Sequence, residues 1–136
     1  MIKSEAQRKR TLAQIEGFRS ALDAARRETS GKRQAVLVKS YQSMMDQLAA
    51  EVAEFDQLKA GRIRVPPIDR LDQIAPVVTR IRIAKGISQT ELARRLGVSK
   101  QLIHRYEESD YQTLGLAKLQ QVLDAMGVVL RAKVSA

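Results

Sequence analysis

Cysteine and tryptophan are both absent from this 136-residue chain, and histidine occurs once. Without cysteine, the chain has no disulfide, no thiolate metal ligand and no cysteine nucleophile. A single histidine makes a His-based zinc site or a Ser-His-Asp triad hard to build. We therefore expect a binding protein that is not an enzyme and that needs no metal and no cofactor.

Long apolar runs, aromatic residues and turn-forming residues are also scarce. Aromatics make up 4% of the chain, which has 7 glycines and 3 prolines, while 44% of residues are hydrophobic. This composition predicts a mainly α-helical protein with a packed core. No run approaches the roughly 18 apolar residues of a membrane span. Because no apolar segment follows the basic N-terminus, we expect no export signal and a cytoplasmic protein.

Positive charge is in excess, with 24 basic against 15 acidic residues and a net charge of +9. Such a surface attracts polyanions, of which nucleic acid is a common one, although charge can also merely aid solubility. Residues 1–67 carry +5 and residues 68–136 carry +4. The charge therefore does not indicate which half meets a polyanion.

A basic, proline-containing segment at residues 61–67 divides the chain. Pro66 and Pro67 cannot continue a helix, because proline lacks the amide hydrogen and pushes the preceding residue toward extended geometry. We predict a helical hairpin over residues 1–60, a linker over 61–67 and a second domain over 68–136.

Two apolar stripes at helical spacing predict the hairpin, with a break at residues 29–31. The stripes are Leu12, Ile15, Phe18, Leu22 and Ala25, and then Leu37, Tyr41, Met44, Leu48, Val52, Phe55 and Leu58. We expect Met44 to fill the core of this seam. Because two helices with one narrow seam bury little surface, the hairpin is expected to pair with a second copy or another partner.

Charge within the hairpin is uneven. Residues 1–39 hold ten basic and four acidic residues, whereas residues 40–60 hold one basic and four acidic residues. Attraction between the two helices is the favoured explanation. The alternative is an acidic face for a basic protein partner.

The segment from Pro76 to Gly127 predicts four short helices in quick succession. Ser88 and Glu91 have the spacing of a capping box, in which Ser88 caps a helix over 89–96 and Glu91 reaches back. Ser99 is expected to cap the next helix, from Lys100 to about residue 107.

The turn between these two helices is specific in its spacing. Two helices that cross at roughly 90–120° need a small residue at the crossing and a left-handed turn residue, which are Ala93 and Gly97 here. Apolar residues occupy the remaining inward positions, namely Leu92, Leu96, Val98, Ile103 and Tyr106.

These motifs, with Arg80 to Gly97 and then Ile103-His-Arg-Tyr-Glu107, resemble the helix-turn-helix of the Cro/phage-repressor-like (XRE) transcription regulators. The resemblance covers about residues 70–127 and implies a lambda-repressor-like domain that binds double-stranded DNA. Tyr106-Glu107 followed by Tyr111 is similar to a subset that includes HigA-type antitoxins.

The resemblance also implies roles for individual residues. Gln89 would clamp a DNA phosphate, and the base-edge readers would be Ser99, Lys100, Gln101 and Arg105. Lysine and arginine suit guanine, and glutamine suits adenine. Further phosphate contacts are expected from Arg94, Arg95, His104 and Lys118.

Arg82 and Glu107 match a pair that fixes the recognition helix in this class. We expect the pair to be partly buried, the alternative being a weak exposed pair. Many relatives have a glycine-containing turn next, where this chain has Glu108, Ser109 and Asp110. Glu107, Glu108 and Asp110 form an acidic cluster, which must point away from DNA phosphates or else weaken the affinity and affect the register on DNA.

Alternation over residues 128–134 predicts a short C-terminal β-strand, with Val128, Leu130, Ala132 and Val134 on one side. A lone strand needs a mate, either from a second subunit or at a partner's sheet edge.

These observations together predict a homodimeric repressor, autoregulatory at its own promoter, that reads an inverted repeat with half-sites about 34 Å apart. One alternative is an antitoxin whose hairpin or C-terminal strand binds a toxin. Another is a helical interaction adaptor without specific DNA binding, and a nucleoid-type binder is a third.

Overall fold

The computed structural model describes all 136 residues and is mainly α-helical, as the composition predicts. Its six helices are α1 (Glu5–Glu28), α2 (Gly31–Lys59), α3 (Val78–Ala84), α4 (Gln89–Leu96), α5 (Lys100–Glu108) and α6 (Leu116–Ala125). Short 3-10 helices at Leu71–Gln73 and Ala75–Val77 precede α3. None of these helices combines the length and the apolar character that a membrane crossing needs.

The chain divides into two compact units, Met1–Gln57 and Leu58–Ala136. The boundary falls in the last turn of α2. Non-helical chain follows from Arg62 to Asp69, after a turn in which Gly61 has φ of +77°. The two prolines lie within this non-helical segment.

The first unit is an antiparallel pair of long helices. The rings of Phe18 and Tyr41 lie 6.1 Å apart, and Arg8 donates two hydrogen bonds, of 2.7 and 3.0 Å, to the Asp56 carboxylate. This ion pair lowers the pKa of Asp56, chiefly through the hydrogen bonds from Arg8. Attraction between helices of opposite charge is therefore present at this end of the hairpin.

Burial in α2 is confined to its last turns, where Val52, Phe55 and Leu58 are buried. From Gly31 to Glu51 no residue is buried. Met44 in particular is 43% exposed, so the prediction that it fills the core is wrong. The adjacent Met45 is half-buried instead, because the seam follows Val38, Tyr41, Met45 and Leu48 at helical spacing.

The second unit packs short helices around one core. Its helices are too short to be stable alone, so burial of their apolar faces has to hold them together. The buried core residues are Ile74, Ala75, Val78, Ile87, Leu92, Ala93, Ile103, Tyr111, Leu119, Val122, Leu123 and Met126. This core positions α4 and α5 against each other.

The C-terminal segment corrects a prediction, because residues 127–136 form no β-strand. Leu130 and Val134, which belong to the predicted apolar side, are 39% and 91% exposed, so the alternation does not place that side against a core. A strand exists only where its backbone pairs with a neighbouring strand, and the chain contains no other strand. The segment therefore has the alternating pattern of a strand but no neighbouring strand with which to pair.

Candidate nucleic-acid interface

The turn between α4 and α5 forms at the glycine that the sequence indicates. Gly97 ends α4 with φ of +68° and ψ of 32°, and its amide donates to Arg94 O at 3.2 Å. The next amide, of Val98, donates to Ala93 O at 3.0 Å. Ala93 is 4% exposed, in a helix that packs against α5. Residues 89–106 are therefore two helices joined by a tight turn, not one continuous helix.

Serine side chains set the starts of both helices. The Ser88 Oγ accepts from the Glu91 amide at 3.0 Å, and the Ser99 Oγ accepts from the Leu102 amide at 3.1 Å. The other half of the predicted capping box is absent, because the Glu91 carboxylate accepts from Arg94 and Arg95 and does not reach back to Ser88. Charged partners on the next turn replace a backbone amide as its donors.

The outward face of α5 carries predicted base-reading residues. Ser99, Lys100, Gln101 and Arg105 are exposed, while Ile103 is fully buried and fixes the opposite face of the helix in the core. An open depression of about 420 Å³ is lined by Gln89, Lys100, Gln101, His104 and Arg105. Five of the nine residues expected at DNA thus meet at one surface.

Gln89 and His104 differ in how free their side chains are. Gln89 is 6% exposed, and its Nε2 donates to Glu107 Oε1 at 2.8 Å. Its amide nitrogen is thus already engaged at the inner edge of the depression. His104 is exposed and lies 3.2 Å from the Glu108 carboxylate. The phosphate contacts of both residues stay predictions.

Arg94 and Arg95 do not line the depression. Both pair with Glu91, at 2.7 and 3.0 Å, and Arg95 also donates to Ala125 O at 3.0 Å, which ties α4 to the end of α6. The pKa of Glu91 is lowered from 4.5 to about 2, mainly by the hydrogen bonds from Arg94 and then by those from Arg95. Lys118 is exposed on α6 and does not line the depression either. The phosphate contacts expected of these three exposed cations stay predictions.

Beneath α5 lies a buried ion pair between Arg82 and Glu107. The Arg82 Nε and Nη2 donate to the two Glu107 oxygens at 2.6 and 2.8 Å, and the side chains are 3% and 0% exposed. Arg82 Nη1 also donates to Ile87 O at 2.7 Å. The pair is therefore buried more completely than the partial burial expected from sequence. It connects α3, the turn before α4, and the last turn of α5.

Tyr111 completes this network, although the sequence analysis identified it only as part of a motif. Its hydroxyl donates to Glu107 Oε2 at 3.3 Å, and its side chain is wholly buried. The pKa of Tyr111 is raised above its usual value of 10, mainly by burial and to a smaller extent by the negative charge of Glu107. The signal available in the sequence was a hydrogen-bonding aromatic residue four positions after the buried glutamate.

The turn after α5 uses left-handed backbone without glycine. Asp110 and Tyr111 have φ of +50° and +58°, and the Tyr111 amide donates to Tyr106 O at 2.7 Å. Left-handed backbone is costly for a bulky residue, so burial of the Tyr111 ring has to hold it. Of the acidic residues here, Glu107 faces the core, whereas Glu108 and Asp110 are exposed.

Comparison with known proteins supports this geometry. Residues 78–131 match the model of a helix-turn-helix family, and the match extends from the start of α3 to beyond the end of α6. This match supports the resemblance to XRE-type DNA-binding regulators for the second unit. No curated protein matches the chain, and no solved structure matches it.

Proposed function

We propose that the chain is a sequence-specific transcriptional repressor that binds an inverted-repeat operator as a dimer and regulates its own promoter. The observation that carries this proposal is the exposed start of α5. A helix N-terminus that enters the major groove presents its first residues to base edges. Lys100 and Gln101 lie in that first turn, and Arg105 follows one turn later.

Electrostatics and rigidity support the same function. Lys100 and Arg105 line the depression without an ion pair to an acidic residue, so both cations are available to DNA. The Arg82–Glu107 pair and the buried Ile103 hold α5 from behind. A recognition helix held in this way loses little side-chain and backbone freedom when it binds, which favours affinity.

Substitution of the readers tests the proposal. A preferred operator is first selected from the upstream region of the gene by footprinting, and binding is then measured at fixed salt concentration. We expect the triple variant K100A/Q101A/R105A to lose about 100-fold or more in operator affinity, since each good base contact contributes about 1–3 kcal/mol. Affinity for unrelated DNA falls much less, so the specificity ratio collapses.

The matched control is R131A/K133A, which also removes two positive charges but takes them from the C-terminal segment. It is expected to retain the specificity ratio of the wild type. If the triple variant and this control behave alike, the assignment of the readers is wrong. If the wild type prefers no sequence over bulk DNA, the interaction adaptor or the nucleoid-type binder replaces the repressor.

An antitoxin-repressor would share this DNA-binding surface. It differs in one measurable property, which is stable co-purification with a toxin encoded beside it.

A further inference from the structure

The part of α2 from Gly31 to Glu51 carries apolar side chains that its own hairpin covers only in part. Between Gly31 and Glu51 the seam residues Leu37, Val38, Tyr41, Met45 and Leu48 are only half-buried. Beside the seam, Val36 is 67% exposed and Met44 is 43% exposed. A layer of two helices covers each of these side chains from one direction only, so a second layer is needed to bury them.

One face of α2, beside the seam, is exposed along its length except at its last position, Glu51, which is half-buried. We call it the open stripe, and its members recur every three or four residues along the helix. The open stripe consists of Arg33, Val36, Ser40, Met44, Gln47 and Glu51. A cation therefore stands at one end of the open stripe and a carboxylate at the other. Between them lie two apolar side chains, Val36 and Met44, and two uncharged polar ones, Ser40 and Gln47.

Charge along α2 has the same polarity. Residues 31–44 contain three basic residues and no acidic residue, whereas residues 45–58 contain four acidic residues and no basic residue. Within the hairpin, part of the acidic half is neutralised by the Arg8–Asp56 pair and by the N-terminal ammonium, which lies 3.9 Å from Glu51. At the opposite end, Lys32 and Arg33 come close in sequence to Arg26 and Arg27 of α1, and none of the four forms an ion pair in the chain. Lys32 and Arg33, in the basic half of α2, therefore have no acidic partner within the chain.

We propose that the open stripe binds the open stripe of a second copy of this chain, with the two α2 helices antiparallel. Antiparallel pairing places each basic half against the partner's acidic half, whereas parallel pairing would stack like charges. Symmetry about residue 42 sets Arg33 opposite the partner's Glu51 and Ser40 opposite the partner's Met44. The two hairpins then form a four-helix assembly with the half-buried seam residues inside it.

The size of this surface suits a stable dimer. A helix of 24 residues is about 36 Å long, and two helices packed about 9 Å apart present a face about 20 Å wide. The face of one hairpin is therefore about 700 Å², close to the roughly 800 Å² that each partner buries in a standard specific interface. This inference rests on the proposed function only for its effect at the operator, because assembly is measured without DNA.

Charge reversal of the full-length protein tests both the surface and the register. Light scattering should give the wild type twice its chain mass of 15.2 kDa. The variants R33E and E51K each place like charges face to face twice in the dimer, and each is expected to raise the dissociation constant by about tenfold or more. The combined variant R33E/E51K restores opposite charges and the dimer. K39E makes the same change of charge at a position about 120° from Arg33 around the helix, and it is expected to leave the dimer unchanged.

A distance measurement tests the orientation in protein that keeps the natural Arg33 and Glu51. Since the chain has no cysteine, K32C accepts a single nitroxide label per copy. Antiparallel pairing about residue 42 separates the two labels by about 30 Å, from 1.5 Å of rise per residue. Parallel pairing would bring them to about 15 Å or less.

Several outcomes overturn the proposal. They are a wild-type mass of one chain, a dimer that survives R33E and E51K, a combined variant that stays monomeric while helical by circular dichroism, and a short label distance. If R33E weakens DNA binding at unchanged mass, the basic end of the hairpin contacts nucleic acid and does not form this interface. Failure of the repressor proposal is separate, because it appears as a lack of sequence preference in a protein that still dimerises.

Discussion

At the scale of single residues, the second unit depends on a charge that it buries. Glu107 is fully buried, accepts from Arg82 and Gln89, and is the acceptor for Tyr111. Removing two charges from water is costly, so a buried pair owes its stability to the completeness of its hydrogen bonds. Every donor around Glu107 comes from a different part of the chain. The network therefore links the position of α5 to α3, to α4 and to the following turn.

Loss of one charge of the pair is expected to be severe. Arg82→Met leaves Glu107 buried without its cation and should lower the free energy of unfolding by about 3–5 kcal/mol. Adding Glu107→Gln removes the uncompensated charge, so the double variant should be more stable than Arg82→Met alone. Urea-induced unfolding measures both. The exposed Arg94→Met is the control, and an equally small effect for Arg82→Met would show that the buried pair contributes nothing.

Tyr111 should make stability depend on pH in the alkaline range. Because its pKa is raised in the folded protein, the native state keeps its proton where the unfolded state, with a pKa of about 10, has lost it. The contribution of Tyr111 is complete below about pH 10 and declines by about 1.4 kcal/mol per pH unit above it. Tyr111→Phe removes this decline. Unfolding free energies of both proteins from about pH 9 to about pH 11 should therefore converge, and parallel curves would contradict the raised pKa.

At the scale of elements, the ends of the short helices are set by local hydrogen bonds. The bounds predicted for α4, residues 89–96, are those observed. Ser88 Oγ accepts from the Glu91 amide at the start of the helix, and the Gly97 amide donates to Arg94 O at its end, so both ends are set by near neighbours. The same reasoning failed for Glu91, whose carboxylate had a choice between a backbone amide and two arginines. Local sequence determines where a helix starts and ends more reliably than it determines which partner a charged side chain takes.

Glycine substitutions inside α1 and just after the end of α4 should have opposite effects on stability. A Cβ at Gly17 or at Gly97 would meet no atom within 4 Å, so neither substitution causes a clash. Gly17→Ala, in the middle of α1, should raise stability by about 0.5–1 kcal/mol. Gly97→Ala must adopt φ of +68° and should lower stability by about 1–2 kcal/mol. Thermal unfolding followed by circular dichroism measures both changes in stability. Equal effects at both sites would contradict the requirement for left-handed backbone at Gly97.

At the scale of the whole molecule, the proposals for the two units predict a specific coupling at the operator. If the hairpins hold two recognition helices together, Arg33→Glu should weaken binding to the full inverted repeat and leave binding to a half-site unchanged. R33E/E51K should recover the full-site affinity. Electrophoretic mobility shifts on both DNA lengths measure this. A loss at the half-site of the same size would indicate direct DNA contact by the hairpin.

What the sequence by itself determined are the features set by near neighbours: the helical class, the break after α1, the caps of α4 and α5, and the inward positions of Ile103 and Ala93. Tertiary structure decided the features that join distant parts of the chain. Gln89 meets Glu107 across 18 positions and Arg95 meets Ala125 across 30. Tyr111 accepts left-handed backbone because the core buries its ring, and Val128–Val134 stays irregular because no strand lies beside it. Spacing records which residues share a face, whereas partners depend on which faces the fold brings together.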